Sequence, residues 1–219
     1  VLAEISPVTK SGEAVSSDNS FDRTSFLSGD QIKVTRTKKA SGTAASQSAS
    51  YRYDGTSAWT VVGTSPVTLE PAVTYSAQFP ADYSAINQFQ TTSTAYLASN
   101  LLKTGDATSS DGTLDFTSSG KPFTHVNSKL TLKFTVNRET TIANDAVLVA
   151  AAGIRTAVST NQTITLYRPY PVDASRKYEW CGILRAVGGS AGTPATDLTV
   201  SLTCDGVTYK ATLTGCQRR

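Results

Sequence analysis

The 219-residue chain has no methionine, one histidine, three cysteines and two tryptophans, and only 17% of its residues are charged. Each shortage removes a class of function. With His125 alone, a metal site built on two or more histidines is excluded. Cys181, Cys204 and Cys216 show no C-x-x-C spacing, which removes the common zinc and dithiol motifs. Their odd number permits at most one disulfide within the chain, and the simpler expectation is two core thiols and a tail thiol. No apolar run reaches the roughly 18 residues of a membrane helix.

The net charge is +3, and the basic residues are scattered, with no block longer than Arg36–Thr37–Lys38–Lys39 and the terminal Arg218–Arg219. Nucleic-acid binders concentrate positive charge on one face, so no nucleic-acid partner is expected. "GGSAG" (188–192) has no following Lys and no helix to receive a phosphate, so it is not a nucleotide loop. No cofactor is expected. The chain begins at Val1, and an upstream segment, including any signal peptide, is expected to have been removed.

What is present is strand-forming. Hydrophobic residues make up 39% of the chain, while Ser and Thr supply much of the polarity, and β-branched Thr suits the solvent face of a sheet. Ile32 and Val34 alternate with polar neighbours in "GDQIKV". Tyr51 and Tyr53 alternate in "YRYDG", ahead of "AWTVV", and Tyr75, Ala77 and Phe79 share one face of "YSAQFP". Gly, Pro, Asp and Ser clusters bound each run. "STAYLASNLLKTG" (93–105) is the best helix candidate. Several short strands at this spacing predict an all-β chain of β-sandwiches.

The clearest local structure is "DLTVSLTCDGVTYKATL" (197–213). Asp205–Gly206 reads as a two-residue hairpin turn. The pairing then runs Cys204 with Val207, Leu202 with Tyr209, Val200 with Ala211 and Leu198 with Leu213, apolar against apolar, with Thr199, Ser201 and Thr203 on the other face. Cys216 lies about 30 Å of strand beyond Val207, so it bridges Cys204 only if the chain folds back.

"TGDATSSDGTLDFTSSGKP" (104–122) is rich in Gly, Ser, Thr and Asp and reads as a long loop or domain boundary. It divides the chain into residues 1–121 and 122–219, each the size of a small domain. "VGGSAGTPATD" (187–197) reads as a surface loop.

His125 begins a run in which Val126, Ser128, Leu130, Leu132, Phe134 and Val136 take one face and His125, Asn127, Lys129, Thr131, Lys133 and Thr135 the other. A catalytic histidine needs a nucleophile to activate and a group to orient it. No G-x-S-x-G elbow is present. A Cys/His hydrolase would require His125 beside Cys181 or Cys204; the strand-edge reading of His125 is the simpler one, and no catalytic residue is assigned. Asp106, Asp111 and Asp115 lack calcium-loop spacing, so a solvated loop is expected and no metal ligand is assigned. Tyr51, Tyr53 and Trp59 are candidate glycan contacts. A sugar platform needs at least two such rings exposed and coplanar, whereas a structural subunit buries them.

The order of segments carries a further signal. "VTKS" (8–11) precedes "FLSGDQIKV" (26–34), "YRYDGTSAW" (51–59), "YSAQFP" (75–80), "SNLLKTG" (99–105), "FTHVNSKLTLKF" (123–134) and "DGVTYKATL" (205–213). This succession resembles the fimbrillin-like family of Bacteroidetes surface proteins, with its F-x-x-G-D-x-I-x-V, Y-x-Y-x-G-x-x-W and F-x-H-x-[LN]-S-K-L motifs. The chain departs from it at Asn100–Leu101–Leu102, where Asp is frequent, and at "CGILRAV" (181–187), where many members carry a Pro-Gln step. The resemblance implies two tandem transthyretin-like Greek-key sandwiches and a secreted lipoprotein at the outer membrane. It implies a non-enzymatic structural or adhesive fimbrial subunit that assembles with other pilus subunits by strand exchange. In that picture "VLAEISPVTK" (1–10) is the removable first strand, and Lys10 and Arg23 are the nearest basic cleavage sites. After Leu213 only "TGCQRR" remains, too short and polar to donate. Either the terminal hairpin opens to donate Val207–Leu213, or the protein is a tip, anchor or capping subunit. The alternative function is a surface glycan-binding β-sandwich.

Overall fold

The computed structural model describes residues 1–6, 24–37, 46–71, 73–117, 121–135, 142–150 (backbone only), 153–158, 160–185 and 197–213. They form an all-β chain with one short helix, in two compact units. Unit 1 comprises Val1–Tyr83 and Leu101–His125, and unit 2 comprises Ser84–Asn100 and Val126–Arg219. The chain therefore leaves unit 1 after Tyr83, contributes residues 84–100 to unit 2, and returns.

Unit 1 is one curled sheet. Its strands are β1 (Leu2–Ala3), β2 (Gln31–Arg36), β3 (Gln47–Tyr53), β4 (Trp59–Val62), β5 (Thr74–Phe79), β6 (Leu102–Lys103), β7 (Ala107–Ser110), β8 (Thr113–Phe116) and β9 (Thr124–His125). The order is β1-β8-β7-β5-β2-β3-β4, and β6 pairs with β5 and β9. The alternation expected of Ile32 and Val34, and of Tyr75, Ala77 and Phe79, holds, and all five are buried with Phe116, Phe123 and Leu114. Burying a side chain of this size contributes about 1.5–3 kcal/mol.

The 104–122 stretch is not one long loop. Asp111 (φ 48°) and Gly112 (φ 74°) make a tight turn, and Ser109 and Ser110 pair with Leu114 and Thr113 across it. Two successive positive φ angles are what a two-residue hairpin requires, and Asp–Gly tolerates them. The polar composition belongs to the exposed faces of β7 and β8, while Leu114 and Phe116 enter the core.

Unit 2 contains α1 (Ser93–Ala98), β10 (Ser128–Lys133), β11 (Ile142–Ala150), β12 (Gln162–Thr165), β13 (Glu179–Leu184), β14 (Leu198–Cys204) and β15 (Val207–Leu213). A four-stranded sheet, β12-β11-β14-β15, accompanies the two-stranded pair β10-β13. Leu132, Ile154, Ile164, Leu166, Trp180, Leu184, Leu198, Val200 and Leu202 form the core. The helix is shorter than the 93–105 candidate: Thr92 caps it through its side chain to the Ala95 N–H, and it ends at Ser99. Leu102 then belongs to β6.

The terminal hairpin has the expected register, with Leu198, Val200, Leu202 and Cys204 opposite Leu213, Ala211, Tyr209 and Val207. Burial divides the two strands. β14 buries Leu198, Val200 and Leu202, whereas Val207 is 55% and Tyr209 59% exposed. β15 is the edge of its sheet, and pairing alone does not bring its apolar side chains under cover.

Candidate functional site

The N-terminal strand occupies a slot in unit 1. Leu2 and Ala3 run parallel to Asp115 and Phe116, and Ile5 forms a parallel bridge with Phe123. The Glu4 N–H donates to the Phe116 carbonyl at 3.1 Å, the Phe123 N–H to the Glu4 carbonyl at 3.0 Å, and the Ser6 N–H to the Phe123 carbonyl at 2.8 Å. The strand thus bonds to β8 on one side and to residue 123 on the other. Alternation sets its faces: Val1, Ala3 and Ile5 pack on the core, while Leu2 is exposed. Ile5 is the most deeply buried of the three, at 4% exposure.

The "FLSGD" and "YRYDGTSAW" segments brace one another. The Gly29 N–H donates to the Tyr53 carbonyl and the Tyr53 N–H to the Asp30 carbonyl, both at 2.9 Å. Gly55 has φ 95°, and a Cβ there would stand 2.8 Å from the Ser28 Cβ, so both backbone angle and space require glycine. Asp54 closes the turn. Its Oδ1 accepts the N–H groups of Thr56, Ser57 and Ala58 at 2.7, 3.0 and 3.0 Å, and its Oδ2 accepts the Thr56 hydroxyl. These bonds favour the carboxylate and pull its pKa down to about 2, the Thr56 backbone bond contributing most.

The three candidate sugar contacts differ in their surroundings. Tyr51 is buried and its hydroxyl accepts the Val67 N–H at 3.0 Å. Tyr53 and Trp59 are half-buried and stack on each other, centroids 4.9 Å apart and rings 30° from parallel. Phe26 meets the Trp59 ring edge-on at 5.0 Å and Phe123 at 5.2 Å. One face of each ring therefore meets the other, and the cluster continues to the residue that pairs with Ile5.

His125 lies in β9 opposite Leu102, half-buried. Cys181 is buried in β13 opposite Thr131, and Cys204 is half-buried at the end of β14. Asp111 sits in the β7–β8 turn, and Asp115 accepts the Thr117 N–H and hydroxyl at 2.8 and 2.6 Å. Among the described residues no group of three or more His, Cys, Asp or Glu could hold a metal ion, and no helix is long and apolar enough to cross a membrane. Lys10, Arg23 and Cys216 lie outside the described residues.

No family model matches the chain, and no curated protein matches it. Solved structures that resemble it include two from Bacteroides. A fimbrial protein from Bacteroides ovatus ATCC 8483 aligns at 16% identity with a TM-score of 0.49, over 87% of this chain but 41% of its own. A "putative cell adhesion protein" from Bacteroides fragilis NCTC 9343 aligns at 14% identity with a TM-score of 0.50, over 99% of this chain and 85% of its own. The chain thus spans less than half of the first protein and most of the second, and at such identity it is the fold that it shares with the second.

Proposed function

We propose that the protein is a non-enzymatic, cell-surface fimbrial subunit of the fimbrillin-like kind, whose N-terminal strand is a removable plug. The observation that carries this reading is the slot between β8 and Phe123, filled by a strand whose Val1, Ala3 and Ile5 pack on the core. Cleavage after Lys10 or Arg23 would leave this strand held by backbone hydrogen bonds and three side chains. Its departure would uncover Phe116, Phe123 and two strand edges, a ready acceptor for β-augmentation.

The donor consistent with this slot is β15 of a neighbouring copy. Val1-x-Ala3-x-Ile5 places a small residue between two larger apolar ones, and Tyr209-x-Ala211-x-Leu213 repeats that order on a strand whose faces are already exposed. Other pilus subunits are then the partners, and the resemblance adds a precursor lipid anchor and an outer-membrane location. The stacking of Tyr53 on Trp59 favours this reading over the glycan-binding one.

Limited digestion with an arginine- or lysine-specific protease, read by N-terminal sequencing and by size, tests the proposal. A cut after Lys10 or Arg23 followed by oligomers supports it. A cut that leaves a stable monomer, or resistance to the protease, removes strand exchange at this slot and leaves a terminal subunit or a glycan binder.

A further inference from the structure

β13 is buried along its length and pairs with β10 on one side. Its other side is a strand edge, a feature that proteins shield because it templates pairing with another chain. Different groups cover it in turn. Cys181 exchanges backbone hydrogen bonds with Tyr167 at 2.7 and 2.8 Å, and the Arg185 N–H donates to the Ile154 carbonyl at 2.7 Å. Between them, at Ile183, the partner is a side chain. The Gln90 carboxamide accepts the Ile183 N–H at 2.7 Å and donates to the Ile183 carbonyl at 2.7 Å. A carboxamide carries donor and acceptor side by side, so it reproduces the two bonds that a residue on an antiparallel neighbour would make.

The segment bearing Gln90 is a strap. The Gln90 N–H donates to the Thr165 carbonyl at 2.9 Å and the Thr165 N–H to the Gln88 carbonyl at 2.7 Å. The Gln88 amide reaches the Thr163 hydroxyl at 3.1 Å. Phe89 between them is 65% exposed, so its ring adds little burial, whereas Gln90 is fully buried. Polar contacts hold this strap on Thr163 and Thr165, and the Gln90 amide is its buried attachment to β13 at Ile183.

We propose that Gln90 is a latch: its amide acts as a side-chain strand and closes the second edge of β13 against pairing with a second copy of the chain. The occupant it excludes is β15 of that copy, an exposed seven-residue edge strand without Pro or Gly. Without the amide, the buried N–H and carbonyl of Ile183 lose their partners, and strap opening becomes the route by which they are satisfied. This latch stands whether or not the N-terminal strand is removable.

Gln90→Glu and Gln90→Ala in the full chain test it. An uncharged carboxylic acid offers one donor and one acceptor, enough for Ile183 though not for the Asn87 carbonyl that the Gln90 amide also meets at 3.1 Å, while a carboxylate offers acceptors only. The Gln90→Glu latch is therefore closed at acidic pH and open at neutral pH. The expected result near pH 7 is Ile183 amide exchange about tenfold or more faster than in the parent, as loss of two buried hydrogen bonds implies. Self-association by light scattering exceeds the parent's. Near pH 4 both ratios return towards one, because the acid is then largely protonated. Gln90→Ala shows the open behaviour at both pH values; if it fails to fold, Gln90→Glu at acidic pH supplies the folded starting state. Parent-like exchange in Gln90→Ala, or in Gln90→Glu at a pH where the acid is ionised, overturns the latch. Faster exchange with the parent's association state overturns the guarding role and leaves Gln90 a brace.

Discussion

Ile5 and Phe123 lie side by side in a parallel bridge, and the Phe123 ring also meets Phe26 at 5.2 Å and Phe116 at 6.2 Å. A single N-terminal side chain is thus wedged against the aromatic centre of unit 1. Ile5→Ala is expected to destabilise the protein by about 2–5 kcal/mol, and Ile5→Val by about 0.5–1.5 kcal/mol. Urea unfolding checks the magnitude. Hydrogen exchange checks the place, since the Glu4 and Ser6 amides should lose protection before those of β2.

Arg36 is a buried cation on β2, and its Nη1 meets the Glu70 Oε1 at 2.5 Å, the Glu70 side chain remaining 33% exposed. Taking away the carboxylate removes this counter-charge from a largely buried guanidinium. Glu70→Ala is expected to cost about 3 kcal/mol. Replacing both residues with apolar ones should cost less than the sum of the single changes, as a double-mutant cycle in denaturant would show.

Asp54 makes the stability of unit 1 sensitive to strong acid. Its folded pKa, about 2, lies below the ordinary 3.8, so the folded state favours the carboxylate. That contribution is fully present above about pH 4 and is lost as pH falls through 2. NMR titration of the Asp54 carboxyl should give a midpoint near 2. Asp54→Asn should weaken the acid dependence of thermal unfolding between those pH values. An ordinary midpoint near 3.8 would contradict the observed hydrogen bonds.

Gly182 sits on β13 where a Cβ would stand 2.4 Å from the Leu166 Cδ2. Its backbone angle is unexceptional, so space alone demands glycine. Gly182→Ala should destabilise by about 1–3 kcal/mol through overpacking. In combination with Leu166→Val the loss should be less than additive, because the smaller side chain yields room.

The two strands of the terminal hairpin should respond unequally although their residues are paired. Leu202→Ala, in the core, should cost about 2–5 kcal/mol. Its partner Tyr209 is 59% exposed, and Tyr209→Ser should stay within about 0.5 kcal/mol in the monomer. The same Tyr209 change should reduce assembly if β15 is the donor, which size measurement after proteolysis would read.

What the sequence by itself determined was local: the faces of β2, β5 and β10, and the full register of the terminal hairpin. Alternation and the Asp205–Gly206 turn depend on residues a few positions apart, and a two-residue turn leaves one register. The same chemistry was present at Asp111–Gly112, but short polar strands carry too little hydrophobic contrast to mark a hairpin. The turn residues Gly29, Asp54 and Gly55 were also legible, because they meet backbone requirements that few residues satisfy.

Tertiary structure alone decided the rest. Burial of Tyr51, the stack of Tyr53 on Trp59 and the exposure of Tyr209 depend on what lies across the sheet, which alternation does not encode. The strap at 84–100 belongs to unit 2 because Gln90 finds Ile183, 93 positions away. A glutamine between polar neighbours has no periodicity to announce it. It becomes a strand's partner only when the fold brings an unpaired peptide group within reach of its amide.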